Sequence, residues 1–375
     1  MILTNARLIL ADAVRLGTLV IEDGQLVGVE AGLSHVASAS DMEGDFLMPG
    51  AIDVHTDNLE RQVQPRSNAR WPSRSAMIAH DAQCAAAGVT TVLDALCLGD
   101  LGFEKGRVTT FHDGVRDLDA LADTGLLKSE HFLHLRCELP ASDMMELLDP
   151  VAAHPRVRMV SLMDHSPGMG QYADLDKYRA MRAREGHTAA WIEARILELQ
   201  AQRSRMRDPN RQALLSRMRP IGTVLASHDD RTVAEVAENH ADGIRISEFP
   251  VSLEAAAEAR RRGMLSIAGA PNIVRGGSHS GNVSAALLVR EGVVDALASD
   301  YVPSAMIEAA WAATLHAGIS LPQAVHLITA GAAAMVGLPD RGSLMPGQRA
   351  DVVRVREFEG MPVVRQVWRA GERVI

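Results

Sequence analysis

Both ends of the chain alternate apolar and polar residues, a pattern typical of half-buried β-strands. The N-terminal stretch ARLILADAVRLGTLVIEDGQLVGVEAG contains a hairpin signal at EDGQ, and the C-terminal stretch ADVVRVREFEGMPVVRQVWRAGERVI contains turns at EFEGMP and RAGE. We predict a small β-sandwich domain built from both termini, over residues 1–48 and 340–375. The simpler alternative is two unrelated edge hairpins.

Between these ends, short apolar strands alternate with helical segments. FLMPGAIDVHTD, VTTVLDAL and HFLHLRCEL have strand patterns, and SRSAMIAHDAQCAAAG has the pattern of a helix that stops at glycine. About eight such units predict a parallel sheet with helices outside. The expected fold class is therefore α/β, with a TIM-like (β/α)₈ barrel over residues 49–339.

One charged helical region, residues 175–219, interrupts this alternation. It is either a solvated helical pair that decorates the barrel or a lid over the functional site. The second alternative arises because the region follows a strand that ends in Asp164 and His165, and the loops after barrel strands form the functional face.

Polar side chains follow six of the predicted strands. Because side chains at positions i and i+2 of a strand point the same way, His55 and Asp57 are both expected at the barrel mouth. Imidazole and carboxylate groups suit Zn²⁺, Mn²⁺ or Fe²⁺. The alternative is a set of unrelated core or capping residues, which would bury ionisable groups at a high cost. The strand-end residues are His55, Asp57, Glu138, Asp164, His165, His228, Asp229, Asp230, Asn272, Arg275 and Asp300.

The composition of the chain argues against several classes of function. The net charge of −9 argues against nucleic-acid binding, and 47% hydrophobic residues indicate a packed core. Three cysteines fit a reducing compartment, and no apolar run approaches the roughly 20 residues of a membrane span. We expect a cytoplasmic protein that binds neither nucleic acid nor membrane, with a homodimer as the default assembly.

These residues resemble the amidohydrolase superfamily, whose members combine a metal-bearing barrel with a β-sandwich from both termini. The motifs HTDNLE, HLRCELP, SLMDHSPG, ASHDD, GAPNIVRGGSHSGN and ASDY are similar to those of its PhnM-type phosphonate-metabolism family. The resemblance covers nearly the whole chain. It implies a diphosphatase that converts α-D-ribose 1-methylphosphonate 5-triphosphate to the 5-phosphate and diphosphate.

The resemblance also implies a site with two divalent cations, of Zn, Mn or Fe. Glu138 would stand where many members carry a carbamylated lysine on the fourth strand, and would bridge the two ions. Asp300 would orient the attacking water and take its proton. The implied metal ligands are His55, Asp57, Glu138, His165, His228 and Asp300.

The implied substrate is an anionic phosphorylated small molecule, and arginine and glycine-rich backbone are its natural partners. Arg136 and the segment NIVRGGSHSGN are the candidates, although that segment also fits an ordinary βα turn. The candidate substrate-binding residues are Arg136, Asn272, Arg275, Ser278 and His279.

Two other functions remain open. The same ligands would serve an amidohydrolase that cleaves a C–N bond in a cyclic amide, N-acyl or deaminase substrate. A barrel that has lost its metals would be a non-catalytic scaffold.

Overall fold

A computed structural model of the chain describes residues 1–66, 69–102, 106–277 and 282–375. The first strands form an antiparallel ladder, β1–β2–β3, with β4 and β5 parallel to β1. The hairpin between β2 and β3 turns at Asp23 and Gly24, both with positive φ, as its Asp-Gly sequence predicts. The strands are β1 Ile2–Ile9, β2 Val14–Glu22, β3 Gln25–Ala31, β4 Ser40–Asp41 and β5 Phe46–Pro49.

The second sheet is the predicted parallel barrel. Each of its strands pairs with the strand that precedes it in the chain. Apolar side chains such as Ile52, Leu93 and Met159 fill the interior. The barrel strands are β6 Ala51–Thr56, β7 Val89–Leu98, β8 Glu130–Glu138, β9 Val157–Met163, β10 Val224–His228, β11 Ile246–Glu248, β12 Leu265–Gly269 and β13 Ala296–Ala298.

The gap between β13 and β6 closes at both ends through backbone contacts. At the mouth, Asp57 N donates to Asp300 O at 2.6 Å, and Asp300 N donates to His55 O at 3.0 Å. At the opposite end, Ile52 N donates to Ile328 O at 2.9 Å, and Leu297 N donates to Leu327 O. The closure brings the first and last strand ends, and hence their polar side chains, side by side.

The last three strands return to the first sheet, where β14 pairs antiparallel with β5 and β15. They are β14 Val352–Phe358, β15 Met361–Arg369 and β16 Glu372–Arg373. One mixed eight-stranded sheet from both termini thus encloses its own core, with Leu19, Leu47 and Trp368 among its members. The predicted β-unit shared by both termini is confirmed, and the two edge hairpins are not separate.

Gly50 separates β5 from β6, so the apolar run FLMPGAIDVHTD forms two strands in different sheets. A Cβ atom at Gly50 would lie 2.1 Å from Thr90 Oγ1, which leaves no room for a side chain. The glycine lets the backbone pass close to β7 where the chain leaves the terminal sheet for the barrel.

Helices follow the barrel strands, as predicted. The helix α2 stops before Gly88, whose φ is +83°, as its sequence predicts. None of the helices in the described ranges combines the length and hydropathy needed to cross a bilayer. The helices are α1 Asn58–Val63, α2 Ser73–Ala86, α3 Arg107–Leu121, α4 Met144–Leu148, α5 Leu175–Arg184, α6 Ala189–Met218, α7 Val233–Ala241, α8 Leu253–Arg261, α9 Ala270–Val274, α10 Ala285–Arg290, α11 Ala305–His316, α12 Leu321–His326 and α13 Ala330–Met335.

Candidate metal centre

The first cluster at the barrel mouth joins the ends of β6 and β13. His55, Asp57 and Asp300 each offer one ligand atom, and these atoms lie within 4.8 Å of one another. Nε2 of His55 is 3.4 Å from Oδ1 of Asp57. The i, i+2 relation between His55 and Asp57 therefore aims both side chains at one point, as the sequence predicts.

A second cluster lies beside the first and joins the ends of β9 and β10. It consists of His165, His228 and Asp229, with ligand atoms again within 4.8 Å of one another. The rings of His165 and His228 are 5.5 Å apart, and those of His55 and His228 are 6.1 Å apart. The two clusters thus share one rim of the barrel.

Each cluster contains a buried polar atom without a hydrogen-bond partner. These atoms are Nε2 of His55 in the first cluster and Oδ2 of Asp229 in the second, among the residues that the structure describes. An orphaned buried acceptor is costly unless a ligand satisfies it. Imidazole nitrogen with carboxylate oxygen is a donor set for Zn²⁺, Mn²⁺ or Fe²⁺, so these residues fit a divalent cation.

Glu248, the last residue of β11, orients one histidine of each cluster. Its Oε1 accepts from Nδ1 of His55 at 2.7 Å, and its Oε2 accepts from Nδ1 of His228 at 2.6 Å. Burial raises the pKa of Glu248, but its histidine neighbours outweigh burial and hold the pKa well below the usual range. An ionised Glu248 directs the Nε2 atoms of both rings toward the mouth, as carboxylates do for metal-binding histidines.

His134 lies one layer deeper on the same face of β8 as Glu138. Its Nε2 is 2.5 Å from Oγ of Ser161, which donates to Glu248 at 2.8 Å. Burial and the nearby positive groups lower the pKa of His134 to about 3, so the ring is neutral. The strand-end pattern in the sequence singles out neither His134 nor Glu248. The strand-end rule, applied to GIRISEFP, would have found Glu248.

Glu138 ends the third barrel strand, β8, which corrects the fourth-strand position implied by the family resemblance. The strand before it, β7, ends in the apolar Leu98, and the fourth strand is followed by His165. Oε1 of Glu138 accepts from the backbone N of His165 at 2.8 Å, and Oε2 accepts from Nδ1 of that residue at 2.6 Å. Glu138 therefore accepts from Nδ1 of His165 and orients its ring, as Glu248 does for His55.

Arg136 lies between the clusters and pairs with Asp57, with Nη1 and Oδ1 at 2.6 Å. Burial raises the pKa of Asp57, but Arg136 and His55 together with Arg107 outweigh burial and leave that pKa below its usual range. Burial and the Asp57 charge raise the pKa of Asp300 to about 6. Asp57 and Asp300 therefore have different pKa values although they belong to one cluster.

Three barrel strands are followed, within two residues, by a residue with a left-handed backbone conformation. Asp229 follows β10, Phe249 follows β11, and Asp300 comes two residues after β13, with φ of 57°, 53° and 56°. Aspartate tolerates this conformation, but a bulky aromatic residue adopts it rarely. The Phe249 ring packs edge-on against the ring of His55, with centroids 4.9 Å apart. Such strain concentrates at functional sites.

The candidate substrate residues fall into three groups. Asn272, in α9, lines a cavity together with Asp57, Arg136 and Asp300. Arg275 is exposed, and its Nη1 lies 3.4 Å from the Tyr301 hydroxyl. Ser278 and His279 lie outside the described residues.

The region 175–219 forms α5 and α6, and α6 packs across the ends of β8 and β9. Arg203 pairs with Asp164 at 2.6 Å, and Asn210 donates to Leu139 O and Ala141 O at 2.8 Å. Arg182 of α5 lines a cavity that also contains Glu138 and His165. The helical pair therefore reaches the site as well as decorating the barrel.

A separate buried network lies between α2 and the outside of the barrel. Asp94 accepts from Nε2 of His80 at 2.7 Å and from Nδ1 of His131 at 2.9 Å. Nε2 of His131 is 3.2 Å from Asp81, and Nδ1 of His80 is 2.9 Å from Nδ2 of Asn58. Both nitrogens of His131 are thus engaged by carboxylates, so this cluster is an ion-paired network. The core role expected for His80 is consistent with it.

Comparison with known proteins assigns the family. The chain is 41% identical, over the full length of both chains, to the α-D-ribose 1-methylphosphonate 5-triphosphate diphosphatase of Escherichia coli strain K12. The chain belongs to this diphosphatase family of the amidohydrolase superfamily. A model described as "Amidohydrolase family" matches residues 259–375 of the chain. The predicted superfamily and enzyme class, a hydrolase, are confirmed.

Solved structures of the amidohydrolase superfamily share the fold. N-isopropylammelide isopropylaminohydrolase from Burkholderia multivorans matches with a TM-score of 0.65 and 18% identity, over 100% of this chain and 97% of that one. N-acetyl-D-glucosamine-6-phosphate deacetylase from Mycobacterium smegmatis matches with a TM-score of 0.63 and 18% identity, over all of both chains. At these identities the likeness supports the barrel and the terminal sheet, which confirms the predicted architecture.

Proposed function

We propose that this protein is a metal-dependent hydrolase of phosphonate metabolism that cleaves α-D-ribose 1-methylphosphonate 5-triphosphate. One water is consumed, the anhydride bond between the first and second phosphorus atoms breaks, and the 5-phosphate and diphosphate are the products. The full-length 41% identity to a diphosphatase of that name carries the proposal. The convergence of histidines and carboxylates at one rim of the barrel supports it.

Five of the six proposed metal ligands belong to the two clusters: His55, Asp57 and Asp300 in one, and His165 and His228 in the other. Asp229 joins them as a candidate that the predicted set lacked. Glu138, whose two oxygens accept from His165, acts in this proposal through that residue. Two divalent cations held there would lower the pKa of bound water and offset phosphate charge.

Asp300 is the proposed proton acceptor. A carboxylate with a pKa near 6 is ionised at neutral pH and still basic enough to take a proton from water. Arg136 pairs with Asp57 and lines the cavities on both sides, so it can stabilise charge on the phosphorus that reacts. Arg136 is buried and Asp300 is half-buried, so limited solvent screening strengthens these interactions.

The test is turnover by metal-loaded protein. We expect diphosphate release from ribose 5-triphosphate compounds, with α-D-ribose 1-methylphosphonate 5-triphosphate preferred over nucleoside triphosphates. The second candidate, cleavage of a C–N bond, draws on the fold shared with the isopropylaminohydrolase. Hydrolysis of cyclic or N-acyl amides without diphosphate release would replace the proposal with that candidate. Metal-loaded protein inactive on both classes would indicate a scaffold.

A further inference from the structure

Two cavities open on opposite sides of Asp57, Arg136 and Gln171, which line both of them. The cavity of about 350 Å³ lies toward α5 and is called here the arginine cavity. The cavity of about 260 Å³ lies toward α9 and is called the amide cavity. A substrate that reacts at the clusters therefore has one part in each cavity.

The arginine cavity concentrates guanidinium groups. Arg107 at the start of α3, Arg136 of β8 and Arg182 of α5 all line it. Arg182 and Arg136 are 7% and 6% exposed, and Nε of Arg136 has no hydrogen-bond partner among the described residues. Three planar, permanently charged donors around a partly dehydrated space suit a compact polyanion.

Carboxylates in the arginine cavity are already engaged. Glu185 pairs with Arg182 at 2.8 Å, and Asp57 pairs with Arg136. Glu138 accepts from His165, and Asp100 accepts from the backbone N of Gly102 at 2.5 Å. Each guanidinium has five N–H donors, so one guanidinium can bind a carboxylate and a phosphate oxygen at the same time.

The amide cavity has a different character. Arg136 is its one guanidinium among the described residues, and three carboxylates of the clusters face it. The rest of its wall combines amides and a phenol with apolar side chains: Asn272, Asn282, Tyr301, Phe249 and Leu288. Amides and hydroxyls over an apolar floor suit a sugar ring with its hydroxyl groups.

Resting on the proposed function, we infer that the arginine cavity binds the diphosphate leaving group and the amide cavity binds the ribose part. The anhydride bond that breaks then lies at Asp57 and Arg136, where the cavities meet. Charge decides the orientation, because the diphosphate carries the larger negative charge. Within the described part of the chain, three guanidinium groups and four carboxylates line the arginine cavity, whereas one guanidinium group and three carboxylates line the amide cavity. In this arrangement the region 175–219 supplies Arg182 to the leaving group.

Calorimetric titration of metal-loaded protein with inorganic diphosphate tests the inference without turnover. We expect Arg182→Gln and Arg107→Gln each to weaken diphosphate binding tenfold or more. The comparison variant, which tests the opposite assignment, is Arg275→Gln: it also removes one positive charge, and Arg275 contacts Tyr301 of the amide-cavity wall. We expect it to change diphosphate binding by less than twofold. Thermal melting checks the fold, and Arg182→Lys replaces Arg182→Gln should the latter unfold.

Three results would each overturn the assignment. In the first, Arg275→Gln weakens diphosphate binding at least as much as the other two variants do. In the second, neither Arg182→Gln nor Arg107→Gln weakens diphosphate binding, and in the third, the wild-type protein does not bind diphosphate. Its failure is separable from failure of the proposed function. If the protein releases diphosphate from the triphosphate but only Arg275→Gln weakens diphosphate binding, the subsite assignment is wrong and the proposed function stands. If diphosphate binding depends on Arg182 but the triphosphate is not hydrolysed, the proposed function is wrong and the subsite assignment stands.

Discussion

Glu248 Oε1 lies 2.7 Å from Nδ1 of His55, and this contact decides which nitrogen of His55 faces Asp57. Burial lowers the pKa of His55, but Glu248 and Asp57 together outweigh burial and raise that pKa to about 10. A cation at Nε2 therefore displaces a proton there, while Glu248 keeps its bond to Nδ1. The second oxygen of Glu248 accepts from Nδ1 of His228 at 2.6 Å and orients that ring in the same way.

We expect Glu248→Gln to weaken metal binding by at least about tenfold, as loss of such a supporting carboxylate typically does. The amide has one acceptor oxygen, so its NH₂ group would face one of the two histidine N–H donors. Metal content at equilibrium with buffered free Zn²⁺ is the measurement. Glu254→Gln, exposed on α8, is the matched control. Unchanged affinity in Glu248→Gln would refute the orienting role.

Asp300→Asn tests the proposed proton acceptor. We expect the turnover number to fall by roughly 10²–10⁴-fold, the usual contribution of a positioned base, with folding and most metal content retained. Steady-state diphosphate release and metal analysis on the same preparation separate the two effects. The control is Asp208→Asn, on the exposed face of α6. Turnover within a few-fold of wild type would assign the proton to another group.

The strand-end rule predicted most of this site from sequence. His55, Asp57 and Asp300 meet because parallel strands bring their carboxyl ends to one rim, whatever their separation in the chain. Glu248 is missed because β11, three residues long, is too short to show a clear strand pattern. His134 is missed because it lies four residues before the end of β8. Residues four apart on one strand share a face, and the hydrogen bonds through Ser161 span the depth.

Other features depend on contacts that an apolar pattern does not encode. The run FLMPGAIDVHTD reads as one strand, because hydrophobicity does not distinguish one buried strand from two in different sheets. The break at Gly50 depends on its approach to Thr90, 40 residues away in the chain. The position of Arg182 in the wall of the arginine cavity likewise depends on where α5 packs against the barrel.

Gly50→Ala should destabilise the protein by about 1–3 kcal/mol, the usual cost of forcing a group into a packed region. The added Cβ would lie 2.1 Å from Thr90 Oγ1 and 2.6 Å from Thr90 Cγ2. The free energy of unfolding in urea is the measurement. Gly277→Ala is the control, because no atom lies within 4 Å of its Cβ position. Thr90→Ala in the same chain should recover part of the loss; an additive double mutant would contradict the proposed clash.

The ion-paired network of His131 predicts a pH dependence of stability. Burial lowers the pKa of His131, but Asp94 and Asp81 outweigh burial and raise it to about 9. The unfolded-state pKa is near the ordinary value of about 6.5, so the folded state binds an extra proton between the two values. The stabilisation is complete below pH 6.5 and is lost as the pH rises through 9. The loss approaches about 1.4 kcal/mol per pH unit in that window.

Urea unfolding at pH values from 6 to 10 measures this slope. In His131→Gln the slope between pH 6.5 and 9 should fall by about 1.4 kcal/mol per pH unit, because no proton is taken up on folding at that position, while the contribution of His55 remains. His35→Gln, which changes an exposed histidine of the terminal sheet region, should keep the full slope. A slope in His131→Gln equal to that of the wild type would mean that His131 is neutral in the folded state. Asp81 would then be held ionised by other donors, such as the backbone N–H groups of Lys128 and Ser129.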